Sequence, residues 1–191
     1  MILVSGRAEQ SEDEHSAPPA SPLTACGKVM QTLIVGYGNL YRRDDGVGYH
    51  VLKAIATRLG RPPLALDEDG LDALGEDVDL VCLPQLLPEL AETLVAYDQV
   101  IFVDAHTGAY VEDMRCVSVE PRYVPSAFTH HMAPEMLLGL ALAFSETVPP
   151  AHLLSVRGHD FDFGVGLSEE TGRLAAEAVA HIMRLVEQPT G

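Results

Sequence analysis

The chain has 191 residues, enough for one substantial hydrophobic core but short for two domains of ordinary size. Twelve Lys and Arg stand against 28 Asp and Glu, a formal net charge of −16 that would repel a phosphate backbone and argues against nucleic acid as a partner. No run reaches the roughly 18 apolar residues that a membrane span needs, and no basic segment followed by an apolar one opens the chain, so a cytoplasmic protein without membrane contact is expected.

Residues 1–29 combine Glu9, Ser11, Glu12, Asp13 and Glu14 with Pro18, Pro19 and Pro22, a composition that predicts a disordered leader ahead of one α/β domain over residues 30–188. Met30 directly precedes the first strand signal, so a natural start there is an open alternative. The apolar run from Thr32 to Gly36 predicts a short buried strand, closed by the glycine-rich loop Gly36-Tyr37-Gly38-Asn39. Val47, Val51, Leu52, Ile55 and Leu59 recur at helical spacing, with Asp44 or Asp45 available as cap and Gly60 and Pro62 as terminators. A second strand over Leu80–Leu83 leads to a helix with Pro88 at its first position and Leu90, Leu94 and Val95 on one face as far as Tyr97.

Val100 to Val103 predicts a third strand ending at Asp104. Met114 to Val119 reads as a fourth, near an edge, because Arg115 and Ser118 interleave its apolar residues. Pro134 opens a helix through Met136, Leu137, Leu140 and Phe144, and Leu153–Val156 is the last strand. Ser168 caps a final helix carrying Leu174, Ala178, Val179, Ile182, Leu185 and Val186 along one face. Strands alternating with helices imply a three-layer α/β sandwich, with a mostly parallel central sheet of about five strands flanked by helices.

Cys26, Cys82 and Cys116 are widely separated and show no CxxC spacing, which fits a reducing compartment. The last two lie in apolar runs where a thiol serves as a small core hydrophobe. The chemistry is better sought beyond the carboxyl ends of the strands, where an open α/β sheet places its ligands. Three segments converge there in principle: one with Asn39, Asp44 and Asp45, one with Asp104 and His106, and one with His130 and His131. Two carboxylates and an imidazole form a mixed O/N set suited to a borderline divalent ion, with coordination positions left for substrate or water. Each member also has a structural reading: Asp44 or Asp45 as a helix cap, Asp104 as an acceptor for loop amides, the His pair as polar loop residues. His50, His152 and His181 fall in or beside regular elements and read as surface or satisfied residues.

Leu33-Ile34-Val35-Gly36-Tyr37-Gly38-Asn39-Leu40, continuing through Asp44-Asp45-Gly46-Val47-Gly48, resembles the opening signature of the nickel-iron hydrogenase maturation endopeptidases. The resemblance extends to Ile101-Phe102-Val103-Asp104-Ala105 and to Thr129-His130-His131-Met132, in the same order, and covers most of Met30 to Val186. It implies an endopeptidase that removes the C-terminal extension of a hydrogenase large-subunit precursor once nickel is inserted. Asp45, Asp104 and His130 match the family's nickel-contacting positions, Asp45 standing where many relatives have Glu. His131 is the alternative to His130, which is favoured by the apolar run Met136-Leu137-Leu138 that follows. The nickel would arrive with the substrate, and no permanent cofactor is expected.

The sequence departs from the family's pattern at Leu83–Leu90, in place of an Asp-Gly-Gly-Thr type turn, and at the segment from Arg157 to Gly164, which reads as a loop packed by Phe161 and Phe163. Both departures look like the branch that serves bidirectional or cofactor-reducing soluble hydrogenases. Two other readings stay open: a non-catalytic nickel-checkpoint or assembly chaperone using the same residues, and a peptidyl-tRNA hydrolase-like enzyme. The second shares the strand and Gly-x-Gly-Asn loop, but Leu40-Tyr41 replaces the Pro-Gly typical after its Asn, and the charge opposes tRNA. A dinucleotide site is weaker, since Tyr41 occupies the position of the third glycine.

Overall fold

The computed structural model describes residues 30–122 and 132–187. Five strands form one sheet: β1 (Thr32–Tyr37), β2 (Val78–Leu83), β3 (Gln99–His106), β4 (Met114–Ser118) and β5 (Ala151–Arg157), in the order β2-β1-β3-β5-β4. All neighbours pair in parallel except β4, which runs antiparallel to β5 at the edge. β1 is buried on both faces because its apolar residues continue without a polar alternation, as a central parallel strand requires. β4 keeps Arg115 and Ser118 exposed, in keeping with the polar interruptions of its sequence.

Alternate residues of β1 and β3 feed two cores. Leu33, Val35, Val100 and Phe102 face one side, covered by α2 (Leu90–Leu94) and α3 (Pro134–Ala141). Ile34, Ile101 and Val103 face the other, covered by α1 (Val47–Arg58) and α4 (Glu169–Glu187). The three-layer α/β sandwich expected from the alternation of strands and helices is the observed architecture. The apolar stripe of α4 meets the sheet through Ala175, Ala178, Val179 and Ile182, while Ser168 caps the helix by accepting the Thr171 amide at 3.3 Å. The outer edge of β2 is partly covered, its Cys82 amide donating to the Asp69 carbonyl at 2.9 Å.

Local expectations fail in four places. Neither Asp44 nor Asp45 caps α1: a 3-10 turn over Arg43–Gly46 intervenes and Gly46 takes the cap position without a side-chain hydrogen bond. α2 is confined to Leu90–Leu94 behind the cap residue Glu89, so Pro88 lies outside it, and Tyr97 is reached through turns in which Ala96 and Tyr97 donate to Thr93 and Leu94. α3 stops at Ala141, where tight turn bonds from Ala143 and Phe144 replace helical ones and leave Phe144 exposed. Phe163 does not pack its loop either, for reasons of backbone pairing described below.

β1 lies between β2 and β3. The connection leaving β1 passes through α1 on one face to reach β2, and the connection from β2 passes through α2 on the other face to reach β3. The strand order therefore reverses beside β1, leaving a crevice between the loops that follow β1 and β3. Asp45 and Asp104 stand at its two sides.

Candidate functional site

The loop after β1 is set by close backbone approach. A side chain at Gly36 would come within 2.9 Å of the Gly48 carbonyl group, and one at Gly48 within 2.8 Å of the Tyr37 nitrogen, so strand and helix touch where both lack a Cβ. Gly38 adopts φ +134°, and a Cβ there would lie 2.0 Å from the Asp45 carbonyl oxygen. The glycine spacing thus folds the loop back so that residue 45 sits over residue 38. The Asn39 amide donates to Asp45 Oδ2 at 2.8 Å, and Asn39 Oδ1 accepts the Tyr41 amide at 2.9 Å.

The adjacent acids have opposite fates. Asp44 is fully buried and accepts the amides of His159 (2.8 Å), Asp160 (2.9 Å) and Ser168 (2.6 Å) together with the hydroxyls of Ser168 and Thr171, both at 2.7 Å. Burial alone would raise its pKa, but the Ser168, His159 and Thr171 donors outweigh it and hold the carboxyl at about 2. Asp44 is a structural pin joining the β1 loop to the segment after β5 and to the start of α4. Asp45 is only half-buried, and among the described residues the Asn39 amide is its one side-chain donor.

Asp104 sits near the end of β3. Its Oδ1 accepts the Ala105 amide at 2.8 Å, and the hydroxyl of Tyr37, from the end of β1, donates to its carboxylate. Burial pushes the Asp104 carboxyl up to about 6 despite these two donors, and the charge of Asp45 adds to the rise. Burial, followed by the neighbouring Asp104 charge, also raises the Tyr37 phenol well above its ordinary value. The structure therefore brings Asp45 and Asp104 into mutual repulsion across the crevice. Two partly desolvated carboxylates with few donors among the described residues suit a divalent cation, which would neutralise both.

His130 and His131 lie outside the described residues. Among the described residues, no group of three His, Cys, Asp or Glu side chains is arranged to hold a metal ion. His106 is nearly buried, its Nδ1 accepting the Gly108 amide at 3.2 Å and its ring edge-on to Tyr110 at 5.0 Å. Among the described residues its Nε2 has no hydrogen-bond partner, and neither has Nε2 of half-buried His50, one of the three histidines expected to be surface or satisfied residues. Burial pushes the Cys82 thiol up to about 11 and raises Cys116 as well, so neither offers a thiolate. Asp44 as a pin and Tyr37 as a donor to Asp104 were not read from the sequence. The one available signal for Tyr37 was its place at the end of the strand beside the one that ends at Asp104.

Solved structures with a similar fold include three maturation proteases. The hydrogenase maturating endopeptidase HybD from Escherichia coli is 22% identical, with a TM-score of 0.57 over 84% of this chain and 94% of that one. The NiFe hydrogenase maturation protease HybD from Thermococcus kodakarensis is 21% identical, with a TM-score of 0.56 over 82% and 99%. HycI, a NiFe hydrogenase maturation protease of the same organism, is 18% identical, with a TM-score of 0.58 over 83% and 94%. The chain shares their fold. No family model and no curated protein matches it in sequence. Among the described residues, no helix is long and apolar enough to cross a membrane.

Proposed function

We propose that this protein is an endopeptidase that removes the C-terminal extension of a nickel-iron hydrogenase large-subunit precursor after nickel insertion. The observation that carries the reading is the Asp45 and Asp104 pair, two carboxylates short of donors facing one another at the switch point of a fold shared with maturation endopeptidases. Nickel enters as part of the substrate. Asp45 and Asp104 take the ion, with His130 as the third ligand that the sequence resemblance supplies, and the scissile bond is thereby held beside the crevice. Tyr37 orients Asp104, and the Asn39 amide orients Asp45. The chain needs no permanent cofactor, and it works in the cytoplasm.

A nickel-loaded precursor incubated with the protein and followed by mass spectrometry tests this. The native chain releases a C-terminal peptide, and Asp45→Asn slows that release by at least about 100-fold, since a ligand matters no less than its outer partners. Equal cleavage by both proteins removes Asp45 from the mechanism. Stable association without any loss of mass supports the checkpoint chaperone instead.

A further inference from the structure

The loop that carries Asp45 is paired with the segment after β5. Arg42 and Gly164 form an isolated parallel bridge, the Gly164 amide donates to the Tyr41 carbonyl at 2.9 Å, and the Arg43 amide donates to the Gly164 carbonyl at 3.0 Å. Arg42 Nε and Nη2 reach the Phe161 carbonyl at 3.1 and 2.8 Å, and Arg43 pairs with Asp160 at 3.2 Å. Asp44 fastens both segments from beneath. This backbone is fixed, yet its side chains point to water: Tyr41 is 62% exposed, Phe163 90% and Val165 56%.

The parallel register sets Tyr41 opposite Phe163, with the Arg42 guanidinium carbon 6.0 Å from the Phe163 ring centroid. Large apolar side chains held in solvent by a rigid scaffold mark a contact surface, and Tyr, Phe and Arg are types suited to anchoring one. The charge pattern says where a protein partner meets least resistance. The chain carries −16 overall, whereas Gly38 to Tyr41 and Phe163 to Ser168 contain no charged residue.

We infer that the rim of Tyr41, Phe163 and Val165 is the docking surface for the precursor protein, receiving an apolar surface element that lies beside the ion held at Asp45 and Asp104. The inference rests on the proposed function and deepens it. Asn39 ties the two together, its amide donating to Asp45 and its side chain accepting the Tyr41 amide, so the rim and the ion-bearing acid stand on one loop. The rim then selects the partner and the carboxylates read its metal, two separable recognitions on one support.

The test is steady-state cleavage of nickel-loaded precursor by the full chain, by Phe163→Asp, and by the double variant Tyr41→Ser/Phe163→Ser, with direct binding of the precursor measured in parallel. Both side chains are largely in solvent, so folding is retained, and thermal unfolding verifies it. The expected result is a rise in KM of about tenfold or more with kcat within about twofold, and a matching loss of precursor affinity. Asp45→Asn gives the converse, with kcat lost. Unchanged KM and affinity in both rim variants overturn the inference while leaving the proposed activity intact. If the native chain binds precursor without cutting it and the rim variants do not bind, the endopeptidase reading fails and the docking surface stands. If the native chain does neither, both fall.

Discussion

Two buried aspartates serve opposite ends of the sheet, and what stands beside each of them differs. Asp79, early in β2, accepts the amides of Gly75 and Glu76 at 2.8 and 3.1 Å and the Tyr97 hydroxyl at 2.7 Å. It ties the segment before β2 to the turn before β3, and its neighbours along the strand, Val78 and Leu80, are apolar. Asp44, at the other end, is still more fully supplied with donors, but the next residue is Asp45 and the facing one is Asp104. Asp44 and Asp79 are buried and Asp104 is half-buried. The supply of donors separates the pins from the acid whose carboxyl is pushed up to about 6.

The largest effect that would sharpen this contrast comes from Asp44→Ala. It strands buried amide and hydroxyl donors, each costing about 1–3 kcal/mol, so a loss on the order of 4 kcal/mol is expected in urea unfolding after relaxation. A loss under about 1 kcal/mol would mean that water replaces the carboxylate and that the pin is dispensable. The same carboxyl gives a pH signature. Its folded value of about 2 lies below the ordinary unfolded value near about 3.9, so its stabilisation is complete above that pH and disappears as pH falls through about 2. The native chain should lose stability over that window more steeply than Asp44→Asn.

A smaller effect of opposite sign belongs to Asp104. Its folded pKa is raised, so its contribution to stability is full below about pH 4 and is lost as pH rises through about 6. Asp104→Asn, which keeps an acceptor for Tyr37, should therefore be more stable than the native chain at pH 8, on the order of 1–2 kcal/mol, with no gain at pH 4. Equal thermal midpoints at pH 8 would show that Asp104 is not strained by its surroundings. Least of all, Tyr97→Phe removes one hydrogen bond to Asp79 and should cost about 1 kcal/mol with precursor cleavage unchanged, because that end of the sheet takes no part in the site.

The strands, the edge position of β4 and the convergence of the loops after β1 and β3 were legible because they rest on local signals: apolar runs, polar interruption and glycine punctuation. The role of Asp44 was not. Its donors lie 115 to 127 residues further along the chain, and a lone Asp before a helix reads most simply as a cap. The resemblance picked Asp45 over Asp44 without a physical reason; the fold adds where each goes, sending Asp44 inward and leaving Asp45 across the crevice from Asp104. Phe163 misled for the same reason. An aromatic residue in a loop is expected to fold over its own backbone, whereas pairing with the β1 loop turns it outward.

The contact of Gly36 with Gly48 has a further result. It brings the two ends of the eleven intervening residues together at a neck too narrow for any side chain, so the stretch 37–47 is a ring closed by packing, with no covalent bond needed. A ring clipped in this way cannot lengthen to follow an ill-fitting ligand; it tilts as a unit or not at all. The spacing between Asp45 and the strand that bears Tyr37 is thus a fixed gauge, and under the proposed function an ion delivered by another protein would have to meet it.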